Sequence, residues 1–446
     1  MNVSIAGTGY VGLVTGVCLA EKGHSVVCVD VDQAKVDALN AGTPTIFEVG
    51  LPELLERHVG EGRLSASTDL AAAVRESDIT LIAVGTPFDG AKIDLTYVRA
   101  VAAEIGQALA AKDEYHVVVV KSTVIPGTTD SVVLPILEQA SGKKAGPDFG
   151  VGMNPEFLTE GTAIEDFMDP DRIVLGGSDD RAVETLAELY AAFENVPVVK
   201  TNNGTAEMIK YASNALLATL ISFSNEFANL SSALGDIDIV DVLEGVHCSR
   251  YLTTLLPDGT THRPPIVSFL GAGCGFGGSC LPKDVSALIA QGGGLGLPMQ
   301  LLQAVIDINR GQHQQILTLL GKHFSSLADV RVAVLGLAFK PDTDDMRESR
   351  SVPIIRELLA AGACVRAYDP IANEAADNVL QDERVTYCET LDDVLDGVDA
   401  VVLATRWEEF ERVPELIKEM EPVPVFVDGR RMLDKARFEQ YEGIGL

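Results

Sequence analysis

Long hydrophobic runs are missing from this sequence of 446 residues, and none reaches the length that a membrane-spanning helix needs. The opening residues, MNVSIAGTGYVG, enter a strand-like segment at once, without the basic stretch and cleavage site of a signal peptide. Hydrophobic residues make up 47% and charged residues 22%, as in an ordinary globular protein. We therefore expect a cytoplasmic protein without a membrane partner, and the length predicts two or three domains.

Cysteines with metal-binding or disulfide spacing are missing as well. The seven cysteines are scattered, and none stands in a CxxC or Cys/His pattern, so we expect neither a metal site nor a disulfide framework. Cys18, Cys28 and Cys364 lie in apolar runs and are expected to fill the core. Cys280 differs from them because it stands in a glycine-rich segment.

Positive charge is scarce, since 34 Lys and Arg residues stand against 65 Asp and Glu residues and the net charge is -31. Such a surface repels phosphate backbones and anionic lipids, so we expect neither a nucleic-acid nor a membrane partner. The charge is that of a soluble acidic surface, or of one adapted to salt. An anionic ligand would need cations concentrated in a pocket.

Strand-like and helical segments alternate at both ends of the chain. Apolar runs at 24–30 and 79–87 follow the opening strand, and the run at 330–340 repeats the theme. This alternation implies parallel sheets with right-handed crossovers. We predict an α/β protein with two doubly wound, Rossmann-like domains at residues 1–200 and 326–446.

The middle of the chain, residues 201–325, predicts a helical domain that joins the two ends. From Thr205 the helical pattern contains no Gly or Pro until Gly235, which is long enough for a connecting helix. Spare apolar surface on such a helix predicts a homodimer or a higher homo-oligomer, although packing within the chain would give the same pattern.

The stretch GTGYVG predicts a dinucleotide site. Gly7, Gly9 and Gly12 have GxGxxG spacing between a strand and a helix, which suits a tight turn, the approach of a pyrophosphate and close helix packing. Asp30 ends the next strand, where a carboxylate accepts from a ribose 2′-OH and would repel a 2′-phosphate, so NAD is favoured over NADP. We include the intervening Tyr10 and Val11 in this site.

The segment GCGFGGSCLPKD, residues 273–284, predicts a nucleophilic cysteine. Pro282 suits the first turn of a helix, which would put Cys280 at a helix N-terminus, where the dipole stabilises a thiolate. Lys283 adds positive charge, and Asp284 lies one helical turn after the thiol. The glycines would let a substrate press against bare backbone. An inert, buried cysteine is the alternative.

Two further pairs of residues fit an enzyme with an anionic substrate. Lys210 and Asn214, at i and i+4 on the long helix, could stabilise an oxyanion, or they could form a solvated face. Lys340 and Arg430 follow strands of the last domain and suit a phosphate, or they could form surface salt bridges. That domain has only Gly336 at its turn, so we expect no second dinucleotide there.

Taken in order, the motifs GTGYVG, KSTVIPGTT, NPEFLTEGTA, AEMIKYASNA, GFGGSCLPKD, GLAFKPDTDDMRES and VDGR resemble those of the UDP-glucose/GDP-mannose 6-dehydrogenase family over the whole chain. The resemblance implies oxidation of a sugar C6 alcohol to a carboxylate with two NAD+ and no metal. The VDGR ending is similar to the UDP-sugar branch, which implies UDP-glucose as substrate. GDP-mannose or a UDP-N-acetylhexosamine is the alternative, and a non-catalytic NAD-binding scaffold is an alternative of another class.

The resemblance also implies a role for each residue that matches a family motif. Cys280 would trap the aldehyde as a thiohemiacetal and then carry a thioester. Around it, Lys210 and Asn214 would stabilise the C6 oxygen, Asp284 and Thr123 would position a water, and Glu160 would serve thioester hydrolysis. Further cofactor contacts are expected at Lys35, Thr86, Thr123, Glu160, Lys283 and Arg347. Further substrate contacts are expected at Glu156, Phe157, Leu158, Phe269, Gly277, Lys340 and Arg430.

One segment departs from the family pattern. Residues 248–271 are longer than the usual approach to the cysteine, and Arg250 and Arg263 are the candidates for an arginine that reaches a partner subunit's substrate. Cys274 also stands where an aromatic residue is common.

Overall fold

A computed structural model of the protein describes residues 1–90 and 92–446, which form two compact units, Met1–Ser213 and Asn214–Leu446. The boundary between the units falls inside the long helix that the sequence predicts, which spans Asn203–Leu234. The three-domain boundaries predicted above are finer than this division and stay a prediction. Within the described residues, no helix is both long enough and apolar enough to cross a membrane.

The first unit is built on a sheet that, among the described residues, has eight strands. They are β1 (Asn2–Ala6), β2 (Ser25–Val29), β3 (Leu64–Ser67), β4 (Ile79–Ile82), β5 (Val117–Val120), β6 (Gly150–Met153), β7 (Ile173–Gly177) and β8 (Val198–Thr201). The spatial order is β3-β2-β1-β4-β5-β6-β7-β8, and all neighbours are parallel except β6 and β7. The doubly wound arrangement brings the carboxyl ends of β1, β4 and β5 to one edge, where ligands of such sheets bind.

Helices cover the sheet of the first unit, and its central strands are therefore buried on both faces. The helices are α1 (Tyr10–Glu21), α2 (Gln33–Asn40), α3 (Leu51–Gly60), α4 (Leu70–Glu76), α5 (Thr96–Ala110), α6 (Leu134–Ser141), α7 (Ala163–Met168), α8 (Asp180–Leu189) and α9 (Asn203–Leu234). Every residue of β4 and β5 is buried, which is why these strands read as continuous apolar runs. Asp32, Asp69 and Asp179 each cap a helix by accepting a backbone N–H.

The second unit begins with the rest of α9 and a helical region, which also carries a small antiparallel hairpin. This region contains α10 (Ile239–His247), β9 (Thr254–Leu255), β10 (Thr261–His262), α11 (Leu281–Gly294), α12 (Gln300–Gly311) and α13 (Gln314–Leu320). The hairpin occupies the long segment that departs from the family pattern. Within it, Arg263 forms an ion pair with Glu244 and Arg250 is exposed.

A parallel sheet completes the second unit. Its strands are β11 (Arg331–Leu335), β12 (Cys364–Tyr368), β13 (Val385–Tyr387), β14 (Ala400–Leu403), β15 (Val425–Asp428) and β16 (Tyr441–Gly443), in the order β13-β12-β11-β14-β15-β16. The helices are α14 (Ser351–Ala360), α15 (Asn373–Leu380), α16 (Leu391–Leu395) and α17 (Val413–Lys418). The predicted α/β class, with two Rossmann-like sheets and a helical region, is confirmed.

One prediction about the core is wrong. Cys18 and Cys28 are buried, but Cys364 is exposed, because it is the first residue of β12 and its side chain reaches solvent at the end of the sheet. The apolar run around it is accounted for by Val365 and Ala367, which are buried.

Candidate active site

The glycine-rich turn of the first unit has the shape that a dinucleotide pyrophosphate needs. Gly7 has φ +103°, and a Cβ there would lie 2.7 Å from Ala83 O. A Cβ on Gly12 would lie 1.9 Å from Gly7 O, so α1 can start this close to the turn only with glycine. A Cβ on Gly9 would meet nothing within 4 Å, which leaves open the side on which a phosphate would approach.

Asp30 stands at the end of β2 as an ionised acceptor. Its Oδ2 accepts from Thr8 N at 3.1 Å and from Thr8 Oγ1 at 2.5 Å, and its Oδ1 accepts from Asp32 N at 3.0 Å. Partial burial raises the pKa of Asp30, but these hydrogen bonds and the charge of Lys35 outweigh it and lower the pKa. The carboxylate can therefore accept from a ribose hydroxyl.

The corresponding acid of the second sheet is used within the protein. Asp369, which follows β12, is buried, and its Oδ2 accepts from Leu337 N at 2.7 Å and Ala338 N at 3.1 Å. A Cβ on Gly336 would lie 2.5 Å from Thr405 Cβ. This turn is closed by protein atoms, whereas the turn at Gly9 is open.

A buried charge cluster of the first unit contains two of the residues predicted to contact the substrate. Lys210 Nζ lies 3.0 Å from Glu156 Oε1, and both side chains are buried. Glu156 Oε2 also accepts from Leu158 N at 2.7 Å. Burial raises the pKa of Glu156, but Lys210, the Leu158 N–H and Lys121 together lower it. Glu156 is therefore a carboxylate that holds the Lys210 ammonium in place.

Lys121 belongs to this cluster, although the sequence analysis assigned it no role. It directly follows β5, is buried, and donates to Asn154 Oδ1 at 2.9 Å. Burial lowers the pKa of Lys121 to about 8, Glu156 raises it, and Lys210 lowers it. The one available signal was a lysine directly after four valines, which is an unusual end for a fully buried strand.

The other predicted residues of the first unit lie on its loops and helix ends. Thr86 Oγ1 donates to Thr123 O at 2.8 Å, which joins the loops after β4 and β5. The Phe157 ring lies under the Arg172 guanidinium at 3.9 Å and has Lys210 Nζ 5.5 Å from its centre. Glu160, half-buried, stands in the turn before α7.

In the second unit Cys280 is the N-cap residue of α11, with Pro282 in the first turn. Its carbonyl accepts from Asp284 N at 2.8 Å, and its half-buried thiol lies 3.5 Å from Ser279 Oγ. The thiol therefore stands at the positive end of a 14-residue helix.

Asp284 joins two of the residues predicted beside Cys280. Its buried carboxylate accepts from Asn214 Nδ2 at 2.6 Å and from Lys283 Nζ at 2.6 Å. An ammonium and an amide on one carboxylate satisfy its buried charge and fix the plane of the Asn214 side chain. One N–H of the Asn214 amide remains for another acceptor.

The glycines before Cys280 have a packing role that the sequence analysis did not predict. A Cβ on Gly277 would lie 2.2 Å from Glu348 O, one on Gly278 would lie 2.7 Å from the Phe339 ring, and one on Gly275 would lie 2.6 Å from Asn309 Oδ1. Protein atoms fill the space that these glycines leave. They allow the cysteine loop to pack against the segment after β11. The expected contact of a substrate with their backbone stays a prediction.

Arginines gather around the start of the same loop. Arg430 donates to Ala404 O at 2.6 Å and to Gly275 O at 2.6 Å, and Arg406 Nε donates to Arg430 O at 3.1 Å. Burial lowers the pKa of Arg350, Glu348 raises it, and the charge of Arg430 is among the groups that lower it. Cations that repel one another in this way favour an anion between them. Sequence reasoning missed Arg350 and Arg406.

Three more predicted residues of the second unit lie outside the arginine cluster's hydrogen bonds described above. Lys340 follows β11 and is half-buried, and Phe269 ends a short 3₁₀ turn, Pro265–Phe269. Arg347 forms an ion pair with Asp345 at 2.7 Å. Lys283 and Arg347 were predicted to contact the cofactor and lie in the second unit, whereas the other predicted cofactor residues lie in the first.

Comparison with known proteins indicates one family along the whole chain. The NAD binding domain of the UDP-glucose/GDP-mannose dehydrogenase family matches residues 1–194, its central domain matches 204–311, and its UDP binding domain matches 333–435. The UDP-glucose 6-dehydrogenase of Haloferax volcanii is 44% identical, and the alignment covers 100% of this chain and 100% of that protein. The UDP-glucose 6-dehydrogenase TuaD of Bacillus subtilis is 42% identical, with 97% of this chain and 89% of that protein covered.

A solved structure is similar as well. The UDP-glucose dehydrogenase of the archaeon Pyrobaculum islandicum superposes with a TM-score of 0.89 at 42% identity, with 99% of this chain and 97% of that chain covered.

Proposed function

Because the chain belongs to the UDP-glucose/GDP-mannose dehydrogenase family and is an NAD-dependent oxidoreductase, we propose that it oxidises the C6 alcohol of UDP-glucose to the carboxylate through covalent intermediates on Cys280. Bound NAD+ supplies the hydride acceptor for each of the two oxidations. The observation that carries the proposal is the position of Cys280 at the N-cap of α11. Asp284, one turn further along the same helix, accepts a hydrogen bond from Asn214.

The thiol accounts for a double oxidation without loss of the aldehyde. After the first oxidation the Cys280 thiolate adds to the C6 carbonyl carbon, the C–S bond forms as the C=O π bond opens, and the oxygen takes up a proton to give a thiohemiacetal. The second oxidation removes a hydride from this carbon and a proton from its hydroxyl, and leaves a thioester. A helix N-terminus favours the thiolate that begins this sequence.

Lys210 and Asn214 would stabilise the charge that develops on the C6 oxygen. Glu156 holds the Lys210 ammonium, and Asp284 holds the Asn214 amide, so each donor is fixed before the substrate binds. Donors that need no reorganisation contribute most to transition-state stabilisation. Thr123 and Asp284 would position the water, and Glu160 would take its proton during hydrolysis of the thioester.

The UDP diphosphate would bind to the cations of the second sheet. Arg430 and Lys340 follow strands of that sheet, and Arg350 and Arg406 add charge beside Arg430. A protein with a net charge of -31 needs a local concentration of cations to bind an anionic substrate, and this cluster would supply it.

The reaction is tested by its stoichiometry. With UDP-glucose we expect two NADH for each sugar consumed and UDP-glucuronate as the product, followed by NADH absorbance and mass spectrometry of the sugar nucleotide. A stable one-to-one ratio with an aldehyde product would contradict the double oxidation. Parallel assays with GDP-mannose and UDP-N-acetylhexosamines test the sugar: NADH from one of these and none from UDP-glucose would replace the substrate and keep the chemistry.

We also propose that α9 pairs with a second copy of the chain. Five apolar side chains recur along its second-unit part and are 42–64% exposed: Leu216, Phe223, Phe227, Leu230 and Leu234. The Phe223 and Phe227 rings lie 4.8 Å apart and form the middle of this stripe. The same stripe on a partner would cover it in a two-fold interface.

A charge in the stripe should therefore weaken the dimer. For Phe227→Asp we expect a dimer dissociation constant raised by about 100-fold, because a carboxylate would be buried without a partner. Val379→Asp is the matched control, since Val379 is 43% exposed against 42% for Phe227 and lies on α15. Sedimentation velocity over a concentration series measures both. Equal dissociation of the two variants, or none, would contradict the interface.

A further inference from the structure

One buried carboxylate of the first unit receives hydrogen bonds from two separate functional loops. Glu48 lies between α2 and α3 and is 3% exposed. Its Oε1 accepts from Ala163 N at 2.8 Å, and its Oε2 accepts from Gly161 N at 2.7 Å and from the Tyr10 hydroxyl. The reaction proposed above gives Glu48 no role.

Each donor belongs to a part of the site that has an assigned task. Tyr10 is the first residue of α1 and follows Gly9, where the pyrophosphate would approach. Gly161 directly follows Glu160, and Ala163 begins α7. The Tyr10 hydroxyl also lies 3.1 Å from Gly161 N, so the two loops meet at this carboxylate.

Glu48 is buried and is held in place by its donors. A buried carboxylate is tolerated only when donors satisfy it, and here three donors do so. Burial raises the pKa of Tyr10, and the hydrogen bond to Glu48 raises it further, so the phenol stays protonated and donates. Gly161 has φ +90°, a conformation that the two N–H bonds help to hold beside Glu160.

We propose that Glu48 is a positioning residue that ties the loop of Glu160 to the pyrophosphate turn and so holds Glu160 in place for thioester hydrolysis. The inference rests on the proposed function. In the step concerned, water adds to the thioester carbonyl carbon and the C–S bond breaks. Cys280 leaves as a thiolate, one water proton passes to Glu160 and a second to solvent, and the sugar carries a carboxylate.

Glu48→Gln tests this role because it keeps the size of the side chain and places an NH2 where one oxygen accepts. We expect hydrolysis to slow by about 10- to 100-fold, since small displacements of a catalytic group cost that much. The first oxidation should stay within about threefold of the parent rate. Rapid-quench experiments should then show a burst of two NADH per site and, by intact mass, a nucleotide-sugar adduct on Cys280. Glu53→Gln, an exposed change on α3, is the matched control and should show neither.

The outcomes separate this inference from the proposed function. A parent protein that produces no acid from any nucleotide sugar overturns the function, whatever Glu48→Gln does. A parent that produces acid, beside a Glu48→Gln variant that hydrolyses normally or loses both oxidations equally, overturns the role of Glu48.

Two further measurements complete the test: the first needs no turnover, and the second needs no stable Glu48→Gln protein. Hydrogen exchange at the amides of Gly161 and Ala163 should be faster in Glu48→Gln without any ligand, and unchanged exchange would count against the link. If that variant does not fold, Tyr10→Phe removes one of the three donors and should still slow hydrolysis more than the first oxidation. A Tyr10→Phe protein with both steps slowed equally would overturn the proposal.

Discussion

Cys280→Ser is expected to abolish acid formation, with a loss of about 10⁴-fold or more in the rate of the double oxidation. A serine hydroxyl is not ionised near neutral pH, and the helix N-terminus cannot change this, so the C6 aldehyde is not trapped. NAD binding should be unchanged, because the glycine-rich turn and Asp30 belong to the other compact unit. Steady-state NADH formation measures the loss, and a fluorescence titration with NAD+ measures binding.

Cys248→Ser is the matched control, because Cys248 is an exposed thiol of the same unit and lies outside the site. It should retain the parent rate. Iodoacetamide should modify Cys280 faster than Cys248 near neutral pH, since only Cys280 stands at a helix N-terminus. Normal turnover by Cys280→Ser would refute the covalent route and with it the reason for two NADH per sugar.

The hydrophobic periodicity and the positions of glycine and proline predicted most of the fold. The long helix follows from the absence of Gly and Pro between Thr205 and Gly235, and the structure has it at Asn203–Leu234. The hairpin of β9 and β10 and the antiparallel pairing of β6 with β7 were not predicted. Strand direction depends on how a connection returns to the sheet, and a residue pattern of period two carries no sign of it.

The site was predictable only where a local motif carries its own geometry. The turn at Gly7, Gly9 and Gly12 does so, because each glycine has a steric reason within a few residues. Lys121 and Glu48 were missed, since their importance comes from neighbours far along the chain, such as Glu156 and Ala163. The packing role of the glycines before Cys280 was missed for the same reason: Glu348 O, which lies where a Cβ on Gly277 would be, is 71 residues away.

The buried cluster around Glu156 makes a second large prediction. Lys210→Met should lower kcat by about 10²- to 10³-fold, the usual cost of one donor to a developing oxyanion. Lys121→Met removes an ammonium that acts on the same carboxylate but is assigned no contact with substrate, and its loss in kcat should be at most about tenfold. Equal losses in the two variants would show that charge balance at Glu156, and not contact with the C6 oxygen, explains the role of Lys210.

Lys121→Met should also change how stability depends on pH. Burial, with the charge of Lys210, lowers the pKa of Lys121 from 10.5 to about 8. Between these values the unfolded chain binds more protons than the native protein at this group, so Lys121 makes stability rise with pH through that window. The free-energy cost of burying the charged Lys121 side chain is fully present below pH 8 and is on the order of 3 kcal/mol. Relative to the parent, Lys121→Met should therefore lose stability as pH rises from 8 towards 10.5. Urea unfolding at pH 7.5, 8.5 and 9.5 measures the difference, and a difference that does not vary with pH would mean that Lys121 is charged throughout and that Glu156 holds both ammonium groups.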